Sequence, residues 1–127
     1  MNNTIQRVTP LTVLADIGPS LSRYRGLGFE VVDTGDPGCV GLRAGGTYLI
    51  LATVNHVAGQ FRPAAVQRLT DQTTPYLHVR SLEEALTRLP TTAVVIEKVP
   101  TPYGTVEALV EDDGQCMILV EKCAPDA

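Results

Sequence analysis

The sequence predicts an α+β fold made of two tandem βαβββ modules that form a curved mixed sheet around a concave cavity. Three observations lead there. Stretches that read as strand, helix, strand, strand, strand fill residues 5–54, and the same order returns over 73–123. The two stretches align at their starts with a constant offset of 65 residues: Thr9-Pro10 matches Thr74-Pro75, Asp16 matches Ser81, and Leu21 matches Leu86. Finally, the chain has 127 residues, of which 44% are hydrophobic and 19% charged. That is enough for one domain of two modules sharing a core, whereas a single module would leave a sheet face uncovered.

The first module begins with a strand at 8–14. Asp16 is a good helix N-cap, and Pro19 falls in the first turn, where its missing N–H costs little, so a helix is predicted over 17–25 with Leu21 and Tyr24 on its apolar face. The glycines of "GLGFE" suit its C-terminus. "FEVVD" at 29–33 reads as a strand, "TGDPG" at 34–38 as a turn, and "CVGLR" and "TYLILATV" as two strands around "AGG" at 44–46. Residues 55–72 break the rhythm and are expected to be a linker or a flap over a site. Within them Pro63 opens a short helix through Leu69, with Ala65, Val66 and Leu69 as its apolar face.

The second module restarts with the strand "PYLHV" at 75–79. Ser81 and Glu84 have capping-box spacing, and a helix over 82–89 presents Leu82, Ala85, Leu86 and Leu89 on one side. "AVVIEKV" at 93–99 is a strand, followed by the turn "PTPYG" at 100–104. The strands "TVEALVE" and "CMILVEK" are joined by "DDGQ", which carries an Asp-Gly turn signal.

Charge and motifs exclude several function classes. The net charge is −4 and the pI about 5.0. No basic stripe marks a nucleic-acid or anionic-membrane partner. No apolar run approaches a membrane span, and "MNNTIQRV" lacks a leader pattern, so the expected location is the cytoplasm. Cys39, Cys116 and Cys123 are dispersed, without CxxC spacing, and read as isolated thiols rather than a disulfide framework or zinc site. No glycine-rich phosphate loop and no Ser-His-Asp order are present.

"LSRYRGLGFEVV" at 21–32, "TPYLHVRSLEEAL" at 74–86 and above all "VPTPYGTVEALVEDDGQCMILVEK" at 99–122 resemble the vicinal oxygen chelate superfamily. That group includes glyoxalase I, extradiol dioxygenases, fosfomycin-resistance transferases and bleomycin-resistance proteins. The resemblance implies paired βαβββ modules, often assembled as homodimers. It also implies where a metal would sit in the metal-dependent members: His or Gln in the first strand of each module and Glu in the last. The matching positions here are Thr9 and Thr74, then Ile50 and Ile118. A neutral hydroxyl is a poor anchor and isoleucine has no donor, so no metal and no other cofactor is expected.

Strand alternation then assigns a cavity face. Thr9, Leu11 and Val13 share it with Tyr76, His78 and Thr74. Tyr48, Ile50, Ala52, Cys116, Ile118 and Val120 follow from the closing strands, while Leu77 and Val79 turn toward the helix. Arg43 alternates with Leu42 and is a candidate partner for an anionic ligand group. Tyr103 lies in a turn able to overhang the cavity mouth. His56 reads as a solvated loop residue, Glu107 and Glu111 as solvated outer positions, and Cys116 as a small core filler. The expected ligand-binding set is Thr9, Leu11, Arg43, Tyr48, Ile50, Thr74, Tyr76, His78, Tyr103 and Ile118.

Such a lining suits an apolar or aromatic small molecule, held by packing and oriented by a few polar groups. The expected function is small-molecule binding of the bleomycin-resistance type in a metal-free cavity. The alternative is an enzyme of the same superfamily: one with an atypical site using His78, Tyr103 or Glu107, or a glyoxalase-like lyase or dioxygenase whose ligand strands stand in another register than the one assigned above. A third reading is a subunit that serves only assembly. A homodimer is expected because an open sheet leaves edges to cover.

Overall fold

In the computed structural model, which describes residues 5–123, the elements run β1 Ile5–Leu14, α1 Gly18–Gly26, β2 Glu30–Asp36, β3 Cys39–Ala44, β4 Thr47–Thr53, α2 Val54–Ala58, α3 Pro63–Leu69, β5 Gln72–Val79, α4 Leu82–Thr87, β6 Val94–Pro100, β7 Thr105–Asp112 and β8 Gln115–Lys122. This is the predicted α+β class, with βαβββ occurring twice and α2 and α3 between the repeats. The chain divides into two compact units. One is Thr9–Thr73. The other joins the residues from Thr74 onward to residues 5–8, so β1 contributes to both.

In the unit Thr9–Thr73 the strands are ordered β2-β3-β4-β1. β2, β3 and β4 are antiparallel neighbours, and β1 runs parallel to β4 with Leu11 opposite Ile50. Ile17, Leu42 and Leu51 form its buried cluster, with Leu21, Tyr24 and Phe29 packed against it. Helix α1 starts one residue later than predicted. Ile17 is the N-cap, and the Asp16 carboxylate instead accepts the Gly18 N–H at 2.9 Å. At the other end Gly28 takes φ 104°, a value that glycine adopts without strain, and the chain turns so that Phe29 meets Tyr24 edge-on at 5.2 Å.

Strand β2 runs three residues past its predicted end, with a register shift between Val32 and Asp36. Local bonds explain the extension. The Thr34 hydroxyl donates to the Cys39 carbonyl, and the Asp36 carboxylate accepts the Gly38 N–H at 2.8 Å, so the turn shrinks to Pro37-Gly38. Thr53 caps α2 by accepting the His56 N–H at 3.1 Å. α3 covers the predicted span and buries Ala65, Val66 and Leu69.

In the other unit the order is β5-β8-β7-β6. Val79, Leu82, Ala85, Ala108, Val110 and Leu119 form its buried cluster between α4 and the strands. The Ser81 hydroxyl accepts the Glu84 N–H at 3.1 Å, as the capping spacing predicts. α4 stops at Thr87 rather than at residue 89, because Pro90 disfavours helical dihedrals in Leu89 before it. β7 and β8 join through Asp113 (φ 53°) and Gly114 (φ 78°). Two consecutive left-handed residues make the primed turn that matches strand twist.

Candidate functional site

The unit containing β5 to β8 gathers the chemistry. Leu77 and Val79 of β5 pack toward Leu82 and Ala85 of α4, so Thr74, Tyr76 and His78 project from the opposite side. The register sets Tyr76 against Ile118 and His78 against Val120 of β8, and Val120 against Glu107 of β7. Ile118, Val120 and Leu109 are fully buried on this face. In this apolar surface the Tyr76 hydroxyl donates to Glu107 Oε2 at 2.5 Å, and Glu107 is only 4% exposed. The Tyr76 ring meets the His78 ring edge-on at 5.1 Å, and Arg7 of β1 donates to His78 Nε2 at 3.1 Å. Burial, and secondarily the Arg7 charge, hold the His78 pKa below its ordinary 6.5.

The structure brings the expected residues together in two groups, one per unit. Thr74, Tyr76, His78 and Ile118 share the face just described. Leu11, Tyr48 and Ile50 share the face of the unit Thr9–Thr73 that lies away from α1, and Thr9 has the same strand parity as Leu11. Thr9 and Leu11 are buried there, and Tyr48 leans across Gly41, where a Cβ would collide with its hydroxyl. Arg43 is exposed and ion-paired with Glu30 across β2 and β3. Tyr103 is exposed in the turn before β7.

Three further expectations are corrected. Glu107 is not a solvated outer residue but the buried partner of Tyr76, and Glu111 is half-buried. His56 is not a loop residue. It lies in α2 with its side chain 9% exposed, and Nδ1 sits 2.9 Å from Asp36 Oδ2. Arg7 also reaches this face, as its parity with Thr9 along β1 implies.

A distinct feature is an open apolar groove of about 300 Å³ on the α4 side of the strands, lined by Ile5, Leu77, Ala85, Leu89 and Met117 with Arg88 at its margin. None of the expected ligand-binding residues lines it.

The positions implied as metal ligands do not fit a metal. Thr9 and Thr74 are buried hydroxyl residues, and Ile50 and Ile118 carry no donor atom. Among the described residues no three His, Cys, Asp or Glu side chains gather where they would hold an ion.

No protein-family model matches the sequence, and no curated protein is significantly similar to it. Solved structures do match. A glyoxalase/bleomycin resistance protein/dioxygenase superfamily member from Vibrio splendidus 12B01 superposes with a TM-score of 0.60 at 18% identity, covering 91% of this chain and 97% of that one. A hypothetical protein from Bacillus halodurans C-125 gives 0.61 at 17% identity, covering 95% and 97%. Methylmalonyl-CoA epimerase from Mycobacterium tuberculosis gives 0.57 at 17% identity, covering 96% and 89%. The chain therefore has the vicinal oxygen chelate fold, the fold of the glyoxalase/bleomycin resistance/dioxygenase superfamily.

Proposed function

We propose that the protein binds a small, mainly apolar or aromatic molecule on the face of β5, β7 and β8 that carries Tyr76, His78 and Glu107, and does so without a metal. One observation carries this reading. A carboxylate is buried among Leu109, Ile118 and Val120, bonded to a tyrosine whose ring meets a histidine. Removing a carboxyl group from water costs more than burying a leucine of similar size. Polar groups set into an apolar surface are the usual means of orienting a ligand held by packing.

A thermal-shift screen with aromatic metabolites and antibiotics tests it. A micromolar ligand at millimolar concentration adds about 4 kcal/mol to the folded state. Tyr76→Ala should abolish the shift while the far-ultraviolet circular dichroism stays unchanged. Absence of a shift with every compound would contradict the reading.

The same buried carboxylate favours a second reading, an enzyme of this fold in which Glu107 and Tyr76 relay a proton. Turnover of a bound compound that Glu107→Gln abolishes without loss of binding would establish it. We further propose a homodimer. β2 and β6 end the strand orders of their units, and Val31 (41% exposed), Val94 (56%) and Val95 (45%) lie on them. Exposed apolar edge strands invite pairing. A monomer in size-exclusion chromatography at micromolar concentration would refute this.

A further inference from the structure

His78 has one ring nitrogen engaged and one available. The engaged nitrogen is Nε2, 3.1 Å from the Arg7 guanidinium. Arginine only donates and stays charged, so Nε2 must be the accepting, unprotonated nitrogen. The ring proton therefore sits on Nδ1. Among the described residues no group partners Nδ1. The lowered pKa of the imidazole, caused by burial and then by Arg7, maintains this neutral form at neutral pH.

The surrounding groups narrow what Nδ1–H would meet. Arg7 faces the ring from β1 and Tyr76 from β5, while Val120 stands opposite on β8. The nearest acid on this face with a described link to the ring is Glu107, reached through Tyr76. The Tyr76 hydroxyl hydrogen is committed to Glu107. Nδ1–H is a donor of fixed polarity on this face.

We propose that His78, held by Arg7 as the Nδ1–H tautomer, is the specificity-determining residue of this site and selects an apolar or aromatic ligand bearing a hydrogen-bond acceptor such as a carbonyl oxygen. This rests on the reading that the face of β5, β7 and β8 binds a small molecule. A ligand that presents a donor at the same point sets N–H against N–H and leaves both unsatisfied, which is the strongest form of discrimination a polar contact provides.

The test has two parts. Long-range proton–nitrogen correlation spectra of the ligand-free protein report the tautomer directly. The expected result is Nδ1–H in the wild type, with Arg7→Met raising the His78 pKa and shifting the ring toward the Nε2–H form. Acetophenone, benzoate and benzylammonium are then titrated while the amide resonances of β5, β7 and β8 are followed. Acetophenone and benzoate, which both present an acceptor, should bind about tenfold more tightly than benzylammonium, the scale of one good hydrogen bond. His78→Phe should erase that preference while the protein stays folded.

A wild-type Nε2–H tautomer overturns the proposal, as does tightest binding of benzylammonium. Equal affinities for the three probes remove the selection role of His78 and leave the binding reading standing. If no probe moves any resonance of this face, both fall.

Discussion

Tyr48 and Gly41 show how far a single residue sets the geometry of a strand face. A methyl group at 41 would occupy the space of the Tyr48 ring, so Gly41→Ala should destabilise the protein by about 1–3 kcal/mol, the usual cost of overpacking. The urea midpoint should fall with an unchanged slope. The Tyr76–Glu107 pair gives the complementary case. Tyr76→Phe withdraws a donor from a carboxylate that is 4% exposed, and should cost about 1–3 kcal/mol. The sign of the pH dependence at His78 follows from its lowered pKa. The unfolded chain takes up the proton first as pH falls, so the His78 contribution to stability is constant above the unfolded value of 6.5 and declines below it until the folded value is passed. Tm measured across that window should decline less in His78→Gln than in the wild type. At this scale strand alternation assigned the faces correctly: Leu77 and Val79 turn to the helix, Tyr76 and His78 away from it. It could not show that Glu107 is buried, that Arg43 pairs with Glu30, or that His56 meets Asp36. Each depends on a partner 13 or more positions away in the chain, and an isolated glutamate or histidine ordinarily prefers water.

Among the elements, the ones legible in the sequence carry local chemistry. Ser81 with Glu84 marked the start of α4, Pro63 that of α3, and Asp-Gly the β7–β8 turn, because a cap, a fixed φ and a left-handed pair are determined by neighbours along the chain. Two consequences are measurable. Ser81→Ala leaves the Glu84 N–H without its acceptor and should cost about 1 kcal/mol in chemical denaturation. Gly114→Ala forces an alanine to φ 78° and should cost about 1–2 kcal/mol by the same measurement. The misplaced boundaries have tertiary or competing local causes. β2 continues through its turn formers because Thr34 bonds across to Cys39. Helix α2 forms where the sequence shows only a broken rhythm, since Asp36 anchors His56 from a distant strand.

The whole molecule repeats βαβββ, and the 65-residue offset made that repeat visible before any coordinates. The repeat is legible because it is written in periodicity and turn chemistry, which the backbone obeys element by element. The site is less so, because it depends on which strands become neighbours: β5 with β8, and β8 with β7. The same comparison shows why likeness of fold does not carry over the chemistry of the metal-dependent members. Thr9, Ile50, Thr74 and Ile118 stand where their ligands are expected and supply no suitable donor set. Elemental analysis of purified protein should accordingly find less than one equivalent of zinc, nickel, manganese or iron. The central claim, that a metal-free face built from β5, β7 and β8 holds a small apolar or aromatic ligand, is tested most directly by a fragment screen read by amide chemical shifts. The predicted result is that aromatic fragments move the resonances of Thr74, Tyr76, His78, Glu107 and Ile118 together, and that Tyr76→Ala removes the effect. Fragments that bind only along the α4 groove at Leu77, Leu89 and Met117, or that bind nowhere, would contradict it.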